Sequence, residues 1–265
     1  MIKLIALDID GTLFNSKGEI SLLTKAALMK AHDSGVTLML ASGRTIHGLH
    51  QLAIRNQLPL DHMICIGSNG AVLADGESET IIFEKTVELV VAKEMIKKLK
   101  SYPVTLMIPE EEKLFIEDLE GHQVALELQT ECLNAVVIPD LSEISFAPNK
   151  IILSGPQDVL QAILDEMAPS YKDDATFVLS GFNYLDITAK DTDKGSALRH
   201  YCELKGILPS EVIAFGDNHN DLGMIRYAGI GIAMDNAVDE LKAVANRIAR
   251  SNDEDGIAHI LNEII

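Results

Sequence analysis

Two short acidic clusters carry the strongest chemical signal in the chain. Asp8-Ile9-Asp10-Gly11-Thr12-Leu13 follows one apolar run, and Gly216-Asp217-Asn218-His219-Asn220-Asp221 follows another. In each, carboxylates stand where a buried strand would end and a glycine turns the chain. Carboxyl ends of parallel strands are where open α/β sheets build their sites. Asp8 and Asp10 have a spacing that puts both side chains on one face of a strict strand. Alone, D-x-D-G reads equally well as a turn with a helix cap. The second cluster changes that balance. If the two strands are neighbours, Asp8, Asp10, Asp217 and Asp221 converge, and so many carboxylates in one cleft require a cation. An all-oxygen donor set points to a hard ion. Mg2+ fits, because it takes few carboxylates and keeps positions for water and phosphate.

Two smaller features would complete a phosphate site. Ser42-Gly43-Arg44 follows the apolar run Val36–Ala41, so the Ser42 hydroxyl and the next backbone N–H groups stand at the start of a helix, where anions bind. Lys194, beside Gly195 at another helix start, could bring a compact positive charge. Taken singly, Ser42 reads as a helix cap and Lys194 as a solvated side chain.

The elements that must position these residues follow from hydrophobic periodicity. Strands are expected at Lys3–Ile9, Val36–Ala41 and Met63–Gly67, alternating with helices at Ser21–Asp33 and Thr45–Gln57. A hairpin-like stretch runs to Glu84. The texture then changes to a helix over Val87–Lys100 and strands at Val104–Pro109, Lys113–Glu117, Ala135–Ile138 and Lys150–Leu153. A helix over Val159–Met167 and strands at Thr176–Ser180 and Tyr184–Thr188 complete this part. The first texture returns with helix Lys194–Leu204, strand Val212–Phe215, a helix around Asp221–Ala228 and strand Ile230–Ala233. Helices over Val238–Arg247 and Ile257–Ile264 close the chain. The pattern predicts an α/β protein: residues 1–83 and 190–265 form a core with a parallel sheet, and residues 84–189 form an inserted α+β domain.

Composition narrows the function classes. The chain has 265 residues, 47% of them apolar, with no Trp and a formal net charge of -18. That field repels nucleic acid and anionic membranes, so neither is an expected partner. Cys65, Cys132 and Cys202 form no C-x-x-C and suggest neither a disulfide framework nor a zinc site. With no signal-peptide pattern and no apolar run long enough to span a bilayer, a cytoplasmic protein, monomer or homodimer, is expected. His47 and His50 have a helical spacing compatible with a shared metal, but no acidic or Cys neighbour supports it, so they read as ordinary helix residues.

D-x-D-G-T, S-G-R, Lys194 and G-D-x-x-N-D, in this order, resemble the four motifs of the haloacid dehalogenase superfamily. More narrowly, the chain resembles its Cof-type phosphatases, which carry a large cap between the second and third motifs. The likeness covers nearly the whole chain, including Ser68-Asn69-Gly70-Ala71, Asn236–Val244 and Ser251-Asn252-x-x-Asp255-Gly256. The resemblance implies a Rossmann-like core and Mg2+ dependence. It implies that Asp8 is nucleophile and metal ligand, and that Asp10 is general acid and base with its carbonyl on the metal. Ser42, Gly43, Arg44, Lys194 and Asn220 would bind the phosphate. Asp217 would ligate the metal, and Asp221 would hold a metal-bound water or orient Lys194. Asp235, where these phosphatases usually have Gly, is a departure outside the four motifs.

The expected reaction is hydrolysis of a small phosphorylated metabolite: a sugar phosphate, a nucleotide, or a cofactor such as pyridoxal phosphate or FMN. A phosphomutase of the same superfamily and a non-catalytic phosphometabolite-binding regulator are the alternatives. A nucleotide-dependent oxidoreductase lacks G-x-G-x-x-G after the first strand. Arg44, Asn69 and Asn183 are candidates for substrate contact, each equally well read as structural.

Overall fold

The computed structural model describes residues 1–181 and 183–265. Its strands are β1 (Leu4–Asp8), β2 (Thr37–Ala41), β3 (Ile64–Gly67), β4 (Val72–Asp75), β5 (Ile81–Glu84), β6 (Thr105–Glu110), β7 (Lys113–Ile116), β8 (Asn134–Val137), β9 (Lys150–Ser154), β10 (Ala175–Ser180), β11 (Tyr184–Ala189), β12 (Val212–Gly216), β13 (Ile230–Ala233) and β14 (Arg247–Ile248). The helices are α1 (Leu22–Asp33), α2 (Ile46–Asn56), α3 (Leu89–Leu99), α4 (Val124–Glu131), α5 (Gln157–Ser170), α6 (Lys194–Lys205), α7 (Leu222–Tyr227), α8 (Asp239–Lys242) and α9 (Gly256–Ile264).

Among the described residues, the strands form two sheets. The larger has the order β14-β13-β12-β1-β2-β3-β4-β5. It is parallel from β14 to β3, and β4 and β5 add an antiparallel edge. β1 is the hinge of this order. The chain builds outward from it to β2 and β3, and later returns on its other side to β12 and β13. Such a reversal opens a crevice at the carboxyl ends of the central strands.

The near-continuous apolar run of β1 is what a strand covered on both faces requires. Ile5 and Leu7, with Leu38 and Leu40, join the core under α1, α2 and α9. Leu4 and Ala6, with Met39 and Ala41, join the core under α6 and α7. Alternate side chains of one strand thus feed two separate cores.

The smaller sheet has the order β10-β11-β9-β6-β7-β8 and is antiparallel except where β7 meets β8. Its helices α3 and α5 cover one face through Met95, Ile96, Leu99, Leu160 and Ile163. The chain leaves the larger sheet after Glu84, and by Val87 it is packed in the smaller core.

Two expectations need correction. The helix expected over Val238–Arg247 is only the four-residue α8, and Arg247 instead opens edge strand β14. Asn246 intervenes: its side chain accepts the Gly231 N–H at 2.6 Å and its N–H donates to the Gly231 carbonyl at 2.8 Å, which pulls the chain alongside β13. A side chain that bonds the backbone in this way competes with helix formation. The second correction is α4, a helix where none was expected. Its sequence Val-Ala-Leu-Glu-Leu-Gln-Thr-Glu is rich in good helix formers, the signal that would have found it.

Candidate active site

β1 and β12 pair in parallel register, Leu7 beside Phe215, so Asp8 and Asp217 emerge at the same sheet edge. Asp221 follows one short turn later. Single carboxylate oxygens of Asp8, Asp217 and Asp221 lie within 4.8 Å of one another. The convergence expected of distant segments is therefore present for these three acids.

Asp10 does not join them. β1 ends at Asp8, so strand alternation stops there, and Asp10 stands in the turn beyond. Its carboxylate instead receives the Arg44 guanidinium, with Nη2 at 3.2 Å from both oxygens. Asp10 opens toward the cavity described below, with its side chain 65% exposed.

Lys194 is the counter-charge. Fully buried, its Nζ donates to Asp8 Oδ1 at 2.5 Å and to Asp221 Oδ1 at 2.7 Å. It can enter this depth because α6 and α7 touch at Gly195 and Gly223, where a Cβ on Gly195 would collide with the Gly223 backbone. Asp193 caps α6 with a reciprocal capping box to Ser196 and fixes where the helix starts. Asp221 Oδ2 accepts the N–H groups of Asp217 and Asn218 at 3.0 and 3.1 Å. Both its oxygens are thus engaged within the protein, which fits orientation of Lys194. Thr12 donates to Asp217 Oδ1 at 2.9 Å.

Three carboxylates face one ammonium, and the titration behaviour reflects the imbalance. Burial pushes Asp8 well above its ordinary value, Asp221 and Asp217 add to this, and Lys194 opposes it. Burial also raises Asp217, against the hydrogen bond from Thr12 and with help from Asp221. Burial disfavours the charge on Lys194, but Asp221 and Asp8 outweigh it and hold the lysine protonated. Oxygen donors with an uncompensated negative charge are what a hard divalent cation requires. The residues present therefore fit such an ion.

The phosphate-binding candidates border the same edge. Ser42 follows β2 and is buried; its Oγ accepts the Arg44 N–H at 3.3 Å. Its carbonyl accepts the Asn69 N–H at 3.0 Å. Ser68 and Asn69 both have positive φ, 50° and 54°, uncommon outside glycine and concentrated at functional sites. Asn220 donates to Asn69 Oδ1 at 3.2 Å, and Asn69 donates to Asp186 at 3.3 Å. From the carboxyl-terminal segments, Asn236 donates to the Gly11 carbonyl and Asn252 to the Phe14 carbonyl, both at 2.8 Å, tying down the turn after Asp8. Asp235 is exposed.

A cavity of about 500 Å3 joins the two sheets here. Asp8, Asp10, Ser42, Gly43, Arg44 and Asn220 line one side, and Glu127, Glu131, Lys150, Tyr184 and Asp186 the other. Asn183 is absent from its lining; the Asn183 carbonyl accepts the Gly155 N–H at 3.2 Å. The second wall escaped sequence analysis entirely. Lys150 is buried, donates to the Gly43 carbonyl at 2.9 Å and pairs with Asp186 at 3.2 Å. Asp186 Oδ1 is buried with no partner among the described residues. The Tyr184 hydroxyl likewise has no partner with good hydrogen-bond geometry among the described residues; it lies near the Glu127 carboxylate, and burial and that carboxylate push its phenol upward.

The histidines need one correction. Glu79, far off in sequence, is an acidic partner: His47 Nδ1 lies 3.2 Å and His50 Nε2 3.7 Å from its carboxylate. Together they tether α2 to the β4–β5 turn. The cysteines are free thiols, and burial pushes Cys65 up to about 12. Among the described residues, no helix is long and apolar enough to cross a membrane.

The family described as haloacid dehalogenase-like hydrolase matches residues 5–261. The chain is similar to phosphatase YwpJ of Bacillus subtilis, 28% identical over 291 residues and covering 100% of each chain. It is also similar to pyridoxal phosphate phosphatase YbhA of Escherichia coli, 26% identical over 273 residues, with 98% of this chain and 97% of that one covered. A crystal structure of a haloacid dehalogenase-like hydrolase from Bacteroides thetaiotaomicron superposes with a TM-score of 0.92 at 29% identity, over 100% of both chains.

Proposed function

The chain belongs to the haloacid dehalogenase-like hydrolase family, and from that premise we propose that it hydrolyses a small phosphate monoester through an aspartyl-phosphate on Asp8. The observation that carries this reading is the buried group of Asp8, Asp217 and Asp221 around Lys194, at the edge of a cavity that also holds Asp10 and Ser42.

The cation we take to be Mg2+, held by the Asp8 and Asp217 carboxylates and the Asp10 carbonyl. When bound, it supplies positive charge that offsets repulsion between the carboxylates and a phosphate dianion. Lys194 adds its own charge to the same end. An Asp8 carboxylate oxygen attacks phosphorus, and the bond from phosphorus to the alcohol oxygen breaks. Asp10 gives that oxygen its proton, so the alcohol leaves neutral. Asp10 then takes a proton from water, whose oxygen attacks phosphorus. The bond to Asp8 breaks, and inorganic phosphate departs. Ser42, Asn220 and the backbone N–H groups after Ser42 hold the non-bridging oxygens throughout.

Residues 84–189 act as a cap that selects the leaving alcohol. Its wall is polar, and buried groups left without partners cost free energy until something satisfies them. Asp186 Oδ1 and the Tyr184 hydroxyl favour an alcohol bearing hydrogen-bonding groups, such as a sugar, a nucleoside or a pyridoxal ring. A phosphorylated cofactor also suits the resemblance to the pyridoxal phosphate phosphatase.

A panel of phosphate esters assayed with Mg2+ and then with EDTA tests this reading. Phosphate release should need the metal. Asp8→Asn, nearly isosteric, should lower turnover on the order of a thousandfold or more while circular dichroism stays unchanged. Near-normal turnover by that variant would refute the mechanism.

A further inference from the structure

α4 belongs to the cap, yet its last residue reaches the core. Glu131 Oε2 accepts the Thr45 N–H at 2.7 Å and the Thr45 hydroxyl at 2.9 Å. Its Oε1 lies 3.7 Å from Arg44 Nη1. The carboxylate is buried. For α4 itself this placement is unfavourable, since a negative charge at a helix carboxyl end opposes the macrodipole. What it meets instead is the start of α2, where backbone donors and the positive end of the dipole favour an anion. α2 makes room for it: a Cβ on Gly48 would collide with Glu131 Oε2.

Thr45 directly follows Ser42-Gly43-Arg44. Lys150 of the cap grips this same segment two residues earlier, through the Gly43 carbonyl. Arg44, between the two grips, spans from Glu131 to the Asp10 carboxylate. The cap thus holds this segment at Gly43 and at Thr45, and reaches the acid–base residue by way of the Arg44 guanidinium.

We propose that Glu131 is a positioning residue for the phosphate, acting through the Ser42–Thr45 segment, which takes its working shape only when the cap is seated on the core. This rests on the phosphatase reading, because it takes Ser42 as a phosphate contact. A rival role is direct contact with the leaving alcohol, since Glu131 also lines the cavity. Its oxygens argue otherwise: Oε2 already accepts two hydrogen bonds, and Oε1 faces Arg44.

The two roles predict different kinetics. Losing a phosphate-positioning residue should slow every ester by one common factor, whereas losing an alcohol contact should slow esters unequally. The experiment measures kcat and KM of the full chain with Mg2+ on p-nitrophenyl phosphate, glucose 6-phosphate and pyridoxal 5'-phosphate, together with inhibition by inorganic phosphate. Glu131→Gln keeps the shape and removes the charge. Gly48→Ala pushes on the carboxylate from the far side, changes no residue of the cavity wall, and favours the helix. It carries the test should Glu131→Gln fail to fold.

Both variants should lose roughly 10- to 100-fold in kcat/KM, alike for every ester the wild type turns over, with phosphate inhibition weakened in step. Loss confined to one ester, unchanged phosphate inhibition, or no loss at all would overturn the inference and leave the phosphatase reading standing. A wild type that turns over none of the three esters would bring down both.

Discussion

Among the described residues two lysines, Lys194 and Lys150, are buried, and they are set up in opposite ways. Lys194 is enclosed by Asp8 and Asp221, with Asp217 adjacent, so negative charge exceeds positive around it. Its network is closed: Asp221 spends its second oxygen on two backbone N–H groups. Lys150 also keeps its proton, since Asp186, Glu127 and Glu131 outweigh the cost of its burial. Its network is open, however, because Asp186 keeps one oxygen unpartnered beside the cavity. A closed, charge-rich network is what fixed chemistry needs, as its dipoles require no rearrangement during reaction. An open one suits a guest that supplies the missing partners. On the proposed reading the core lysine serves the phosphate, which is common to all substrates, whereas the cap lysine divides its contacts between Gly43, in the phosphate-binding segment, and Asp186, beside the open part of the cavity.

Lys194→Met is the strongest way to break this comparison. It leaves the acids buried without their counter-ion. The expected cost is about 3–5 kcal/mol of stability in metal-free protein, read by urea unfolding. Activity should fall on the order of a thousandfold for every ester alike. Retained activity would mean that the closed network is structural only.

Lys150→Met should act more weakly and less evenly. It frees the Gly43 carbonyl and strips Asp186 of its ion pair, so kcat/KM should fall by about tenfold, to different extents for different esters. A uniform fall would mean that only the Gly43 contact matters and would erase the contrast with Lys194.

Why one lysine was legible in the sequence and the other was not follows from the same contrast. The acids around Lys194 sit at the ends of buried parallel strands, and glycine turns follow them closely. Apolar runs that discharge acids are visible without coordinates, so Asp8, Asp217 and Asp221 could be brought together by topology alone. The Asp10 carboxylate lies outside that group because β1 ends at Asp8, so strand alternation does not extend to it. On the cap side, Lys150, Tyr184 and Asp186 lie within or at the start of antiparallel strands. There a polar residue usually faces water, and nothing local distinguishes one that faces a cavity. Glu131 was hidden by a missed helix, and its value depends on Thr45, 86 residues away in sequence. The helix misread over Val238–Arg247 failed for a related reason, since Asn246 acts through β13, a tertiary neighbour. Spacing reveals sites assembled from repeated local patterns; it does not reveal walls assembled by sheet register.

The smallest expected effect concerns pH, and it probes the charge excess around Lys194 directly. In the metal-free protein, Asp8 and Asp217 have folded values raised above the ordinary 3.8, chiefly by burial. Between 3.8 and the raised values, the folded state holds protons that the unfolded chain has already lost. Stability must then fall as pH rises through that interval and level off above it. Repulsion within a chain of net charge -18 adds a decline of its own, so the slope of the wild type alone is not diagnostic. The difference between wild type and Asp217→Asn is. With EDTA present, the variant should show a flatter decline and, at pH 7, a melting midpoint raised by about 2 °C. Mg2+ should flatten the wild-type decline in the same way, because it binds the ionised folded state. Lys150→Met, whose acids lie outside this group, should leave the slope that Mg2+ removes unchanged. A midpoint that rises with pH in metal-free wild type, or an Asp217→Asn protein with the wild-type slope, would show that the acids around Lys194 carry no excess charge and that the two lysines are alike.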